Sequence, residues 1–165
     1  MTPESEWANL AARYALVEVV NNHDPALKFE PIHRVLFGVE PEQVVEALLA
    51  HYPGAYRGEG EGHVLRYVSA LDSGAVTVPE PEGQLAVGTL QKFLDTQDWE
   101  VDYVHDDDTA AALGSQPGNL AFLLPAMGKE QLFKTVMADG VLPRKTFSMG
   151  HARDKRYYME ARKIR

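Results

Sequence analysis

Cysteine is absent from the chain. Its absence excludes a disulfide framework, thiolate zinc centres and cysteine nucleophiles, and it fits a reducing, cytoplasmic setting. No window approaches eighteen consecutive apolar residues, so a membrane-spanning helix is not expected. The opening MTPESEWANL is acidic and polar; it lacks the basic start and apolar run of a signal peptide. Patterns of the G-x-S-x-G, H-E-x-x-H and calcium-loop types are missing, which removes the main support for hydrolase, zinc-peptidase and calcium-sensor chemistry. Neither an internal repeat nor a low-complexity tract occurs.

What is present describes one globular domain spanning residues 1–165. The hydrophobic fraction is 45%, and a chain of this length buries a core without staples. Net charge is -8, unevenly spread. Residues 141–165 hold eight Lys and Arg against Asp154 and Glu160, while the rest of the chain is strongly acidic. Such a body repels a polyanion, so nucleic-acid binding is disfavoured. A small anionic ligand needs only one local positive spot. The plainer reading is that the basic end pairs with the acidic body.

The pattern predicts α+β architecture: a mixed β-sheet with helices packed against it. RYALVEVV (13–20) reads as a buried strand, NNHDPALKFEP as a turn and IHRVLFG (32–38) as a second strand. Pro41 marks a helix start, and Val44, Val45, Leu48 and Leu49 share one face of that helix. PGAYRGEGEG (53–62) holds four glycines. It lacks the Lys and Ser/Thr of a phosphate loop, so it reads as an approach to the hairpin HVLRYVSA–GAVTV. QLAVGTLQKFLDTQ is helical. WEVDYVHD alternates as a half-buried strand, DTAAAL is a short helix, and LAFLLP is an apolar, central strand. KEQLFKTVMADG carries a stripe of Leu132, Phe133, Val136 and Met137, stopped by Gly140. RYYMEARKI (156–164) reads as a closing strand.

Three constellations carry candidate chemistry. In PIHR, His33 titrates near neutral pH. Arg34 follows it directly, and adjacent strand residues point to opposite faces. A packed, hydrogen-bonded histidine is the plainer alternative. In VHDDD, His105 ends a strand and Asp106–Asp108 lead into a helix. A His with carboxylates at a strand end suits a general base or a divalent ion. Asp107 and Asp108 fit capping of the helix start, which leaves His105 and Asp106 as the site candidates. In PRKTFS, Arg144 and Lys145 supply a donor fork and a point charge, and Thr146 and Ser148 add hydroxyls on one side. The candidates are therefore His33, His105 and Asp106 as catalytic groups. Arg34, Arg144, Lys145, Thr146 and Ser148 are the candidate phosphate-binding groups.

Three segments, in order, carry a family resemblance: "RYALVEVVNNHDPALKFEPIHRVLFG", "VDYVHD" with "GNLAFLLP", and "LFKTVMADGVLPRKTFSMGHARDKRYYMEARKI". They resemble the carboxyl-terminal half of the bacterial family known as domain of unknown function 1015. "LPRKTFSMG" is similar to that family's Pro-x-Lys-Ser/Thr end. The family's other half is similar to ParB-like proteins and carries an Ala-Asp-Gly-(His/Asn)-His motif, which this chain lacks. Carried over, the family-like polar residues are His33, Arg34, His105, Arg144, Lys145 and Thr146. The resemblance implies a half-site for a nucleotide or phosphorylated ligand, with Mg²⁺ and a nucleotide as candidate cofactors and a ParB-like amino-terminal domain or a second copy as partner. Some ParB-like relatives transfer phosphoryl groups, so a phosphotransferase-like activity follows by analogy only for a complete site. The alternative is a non-catalytic interaction or dimerisation module with an exposed apolar face on its sheet.

Overall fold

A computed structural model describes residues 3–10, 19 and 21–151. The strands expected over 13–20 (Val19 aside) and over 156–164 lie outside the described residues. A 3₁₀ turn covers Glu4–Asn9. The regular elements then run β1 (Phe29–Pro31), β2 (His33–Phe37), α1 (Pro41–His51), β3 (Tyr56–Arg57), β4 (His63–Ser69) and β5 (Ser73–Val78). They continue with α2 (Ala86–Leu94), β6 (Glu100–Val104), α3 (Asp107–Gly114), β7 (Asn119–Leu123), α4 (Gln131–Asp139) and β8 (Phe147–Met149).

Six strands form one sheet in the order β3-β5-β4-β7-β2-β6, and β1 pairs with β8 in a separate two-stranded ribbon. Every described pairing is antiparallel. The chain is thus an α+β fold with helices packed on the sheet. Its mixed character lies in the alternation of strands and helices rather than in strand direction. The apolar run at 119–123 takes the central position expected of it, between β4 and β2.

Alternation along β2 decides what lies on each face. Leu36 joins Leu65, Leu120 and Phe122 in the main core, closed by Val44, Val45 and Leu48 of α1 and by Leu90 and Phe93 of α2. Val35 faces the other way and packs with Ala110 of α3 and Ala121. Gly114 lets α3 lie close on that face: a Cβ there would come within 2.7 Å of the Val68 carbonyl oxygen. The ribbon is held by stacked rings of Phe29 and Phe147, 4.1 Å between centroids.

One expected stripe is inverted. Leu132 of α4 is half-buried, but Phe133, Val136 and Met137 are exposed, and Thr135 is the buried residue of the helix. Gly140, at φ +81°, ends α4 as expected.

Candidate functional site

Arg34 is the largest fully buried side chain. It sits on the α2 face of β2, and no carboxylate among the described residues pairs with it. Nη1 donates to the carbonyls of Ile32 (2.5 Å) and Lys145 (3.0 Å). Nη2 donates to the Arg144 carbonyl (2.9 Å) and, with Nε, to Gln91 Oε1 (3.2 and 3.3 Å). Those contacts engage all five N–H donors of a guanidinium. Gln91 in turn donates to Asp95 Oδ1 (2.8 Å), one helical turn on. The Tyr103 ring, opposite Arg34 in the β2–β6 register, lies 5.1 Å from the guanidinium carbon. Burial draws the Arg34 pKa down to about 10, so the group stays cationic at neutral pH.

The backbone that Arg34 holds is the turn 143–146. Thr146 Oγ1 donates to the Pro143 carbonyl (2.5 Å). Lys145 adopts φ +55°, the only positive φ of a non-glycine among the described residues. Its side chain is exposed and has no acidic partner among the described residues. Arg144 is exposed and pairs with Asp95 Oδ1 at 2.9 Å. Thr146 and Ser148 do share a side, but it is the buried one. Of the five expected anion ligands, Lys145 and Arg144 reach solvent, Thr146 and Ser148 face inward, and every donor of Arg34 is engaged by protein oxygens.

The second cluster lies on the α3 face. His33 is 0% exposed. Its Nδ1 accepts the Leu124 backbone N–H (3.0 Å), and its Nε2 lies 2.8 Å from Asp107 Oδ1. The first contact requires an unprotonated Nδ1, so the ring is the Nε2–H tautomer, with Nε2 close to the Asp107 carboxylate but not aligned for a hydrogen bond. Burial lowers the His33 pKa, and Arg34 lowers it further, while Asp107 and Asp106 oppose the shift. Buried, with Nδ1 hydrogen-bonded and Nε2 against Asp107, His33 has the packed arrangement.

The acidic run corrects the division expected of it. Asp106 caps α3, accepting from Thr109 N (2.9 Å) and Thr109 Oγ1 (2.7 Å). Asp107, expected to cap, is the partner of His33 instead. His105, at the end of β6, is half-buried. His33 and the basic turn therefore do not converge: His33 belongs to the α3 face, the turn to the α2 face.

The chain matches the family described as Protein of unknown function (DUF1015) over residues 2–163. It belongs to that family. No curated protein and no solved structure matches it.

Two further features of this DUF1015 chain are set by its tertiary structure: a cleft, and the outward turn of an apolar stripe that the sequence does carry. Between α2, α4 and the 141–144 segment lies a cleft of about 430 Å³, lined by Thr89, Lys92, Asp95, Thr135, Asp139 and Arg144 among others. Behind it, His63 Nδ1 meets Thr89 Oγ1 at 2.8 Å, and the Tyr52 hydroxyl donates to the Thr89 carbonyl (2.7 Å). Burial lowers the His63 pKa, opposed by the Gln84 backbone and by Asp139.

On the far side of α4, Phe133 and Met137 stand one turn apart. With Val136 they form an outward apolar ridge; Met137 is 88% exposed. Gln91, Asp95, Tyr103 and Thr135 were not singled out because nothing local marks them. Gln91 is 57 residues from the Arg34 that it satisfies.

Proposed function

We propose that this domain is a non-catalytic binding half that docks through the outer ridge of α4 onto a ParB-like domain, the second half of the family's architecture. The observation that carries this reading is the orientation of α4. A surface helix ordinarily turns its apolar stripe to the core. Here Thr135 points inward while Phe133, Val136 and Met137 point out. A contiguous exposed apolar patch of this kind marks an interaction surface. The separation of the two polar clusters supports the non-catalytic part. His33 and the turn at Lys145 lie on opposite faces of the sheet, and the Nδ1 lone pair of His33 already accepts the Leu124 N–H.

The test is a binding titration of the full chain against a separately expressed ParB-like domain of the family. Phe133→Ser with Met137→Ser removes the ridge without touching the core. Hot-spot truncations cost about 2 kcal/mol or more each, so the double variant should lose at least tenfold in affinity while its melting temperature is unchanged. Equal affinity of the double variant and wild type contradicts the reading, as does a complex formed only between copies of this chain.

The Arg34 clamp favours a second reading, in which the turn at Arg144–Lys145 contacts an anionic group brought by the partner's ligand. A non-glycine residue held at positive φ costs energy and persists where its surroundings fix it; such sites cluster at functional positions. A thermal-shift comparison with inorganic phosphate, ADP and Mg²⁺ on wild type and Lys145→Ala tests it. A shift that requires Lys145 supports an anion contact. No shift, or one that survives the substitution, removes it.

A further inference from the structure

The cleft between α2 and α4 lies on the opposite side of α4 from the ridge, so its role is independent of the docking proposal. Its volume, about 430 Å³, falls within the range of small-ligand pockets. Three carboxylates line it (Glu82, Asp95 and Asp139) against two cations (Lys92 and Arg144). Both cations are already matched: Lys92 Nζ to Glu82 Oε2 at 3.0 Å and Arg144 Nη2 to Asp95 Oδ1 at 2.9 Å. Asp139 is not. Its Oδ2 accepts the Gln84 backbone N–H at 2.7 Å, and among the described residues it has no cationic partner.

A second observation points into the same space. Thr135 is 2% exposed and lines the cleft. Among the described residues its hydroxyl has no protein hydrogen-bond partner and is not one of the fully enclosed unpaired atoms, which leaves the oxygen to the cleft. Leu85, Ala138, Val141 and Pro143 supply apolar wall around these polar atoms.

We propose that this cleft binds a small organic ammonium. The ammonium meets Asp139, the Thr135 hydroxyl accepts one of its N–H groups, and the aliphatic part lies along Leu85, Ala138 and Pro143. The charge balance selects the class. An anion would enter a lining with an excess of carboxylate whose cations are already neutralised. A metal ion needs several ligands on one point, and no group of three or more His, Asp or Glu among the described residues is so arranged. A protonated amine needs one carboxylate and one acceptor, and both are there.

The test is isothermal titration of the full chain with agmatine and putrescine, and with inorganic phosphate as the probe of opposite charge. Asp139→Asn keeps an acceptor for the Gln84 N–H and removes the charge. Thr135→Val keeps the shape and removes the hydroxyl. Saturable binding of an amine is expected, weakened at least tenfold by Asp139→Asn and several-fold by Thr135→Val. Without amine, Thr135→Val should leave the melting temperature unchanged, because the hydroxyl bonds no protein group among the described residues. Lower affinity at unchanged stability separates a binding role from a structural one. The proposal is overturned if neither amine saturates, if both variants bind like wild type, or if phosphate binds in preference.

Discussion

The guanidinium of Arg34 donates at 3.0 Å to the carbonyl of Lys145, 111 residues away in the chain. One buried side chain therefore fixes the one backbone position among the described residues where a non-glycine residue takes a left-handed conformation. The two stretches that look most family-like, PIHR and PRKT, are joined by a hydrogen-bonded clamp.

Arg34→Lys should destabilise the domain by about 2–4 kcal/mol. An ammonium offers three donors where the guanidinium uses five, and each buried acceptor left without a partner costs about 1–3 kcal/mol. Urea unfolding measures it. A change below about 1 kcal/mol would mean that the carbonyls of residues 144 and 145 do not depend on Arg34.

Lys145→Gly should stabilise the domain by up to about 1 kcal/mol. Glycine reaches positive φ without the Cβ penalty, and that relief outweighs its larger entropy in the unfolded chain. The side chain removed is exposed and without an acidic partner. A loss of stability on the same urea assay would argue against the left-handed turn.

Much of the fold was legible because it rests on local pattern. Pro41 starts α1, Gly140 ends α4, and the alternation of β2 correctly placed His33 and Arg34 on opposite faces. The failures share a cause. The Leu132–Phe133–Val136–Met137 stripe is a real amphipathic signal, but periodicity does not say whether a stripe meets the core or a partner. Likewise VHDDD signals a capped helix but not which carboxylate caps. Asp106 does so because its extended backbone (φ -115°, ψ 127°) brings its side chain back to the Thr109 N–H, and the first turn then aims Asp107 at His33. The clamp on Arg34 and the lining of the α2–α4 cleft depend on contacts across 37 to 111 residues, which no local pattern encodes.

Asp106→Ala should cost about 1 kcal/mol, the usual loss of an N-cap. Thermal unfolding of wild type and variant measures it. Unchanged stability would mean that the bonds to Thr109 do not hold the start of α3.

Stability should fall as the solution is acidified below about pH 6.5, the ordinary histidine value. Burial lowers the pKa of both His33 and His63 in the folded chain. Between the lowered folded value and the unfolded value, the unfolded chain binds more protons. Stability therefore rises with pH through that window and is fully present above it. His33→Asn keeps an acceptor for the Leu124 N–H and removes one titration. Urea midpoints measured from pH 5 to 7.5 should show a shallower acid limb in the variant, by up to about 1.4 kcal/mol per pH unit. Parallel limbs would mean that His33 titrates alike in both states.

The central claim is that the outward ridge of α4 is a docking surface, and amide hydrogen exchange tests it most directly. The full chain is measured alone and with the ParB-like domain. New protection confined to residues 131–141, and absent in the Phe133→Ser/Met137→Ser variant, is the predicted result. Protection elsewhere with α4 unchanged, or none at a concentration of partner that saturates binding, would contradict it.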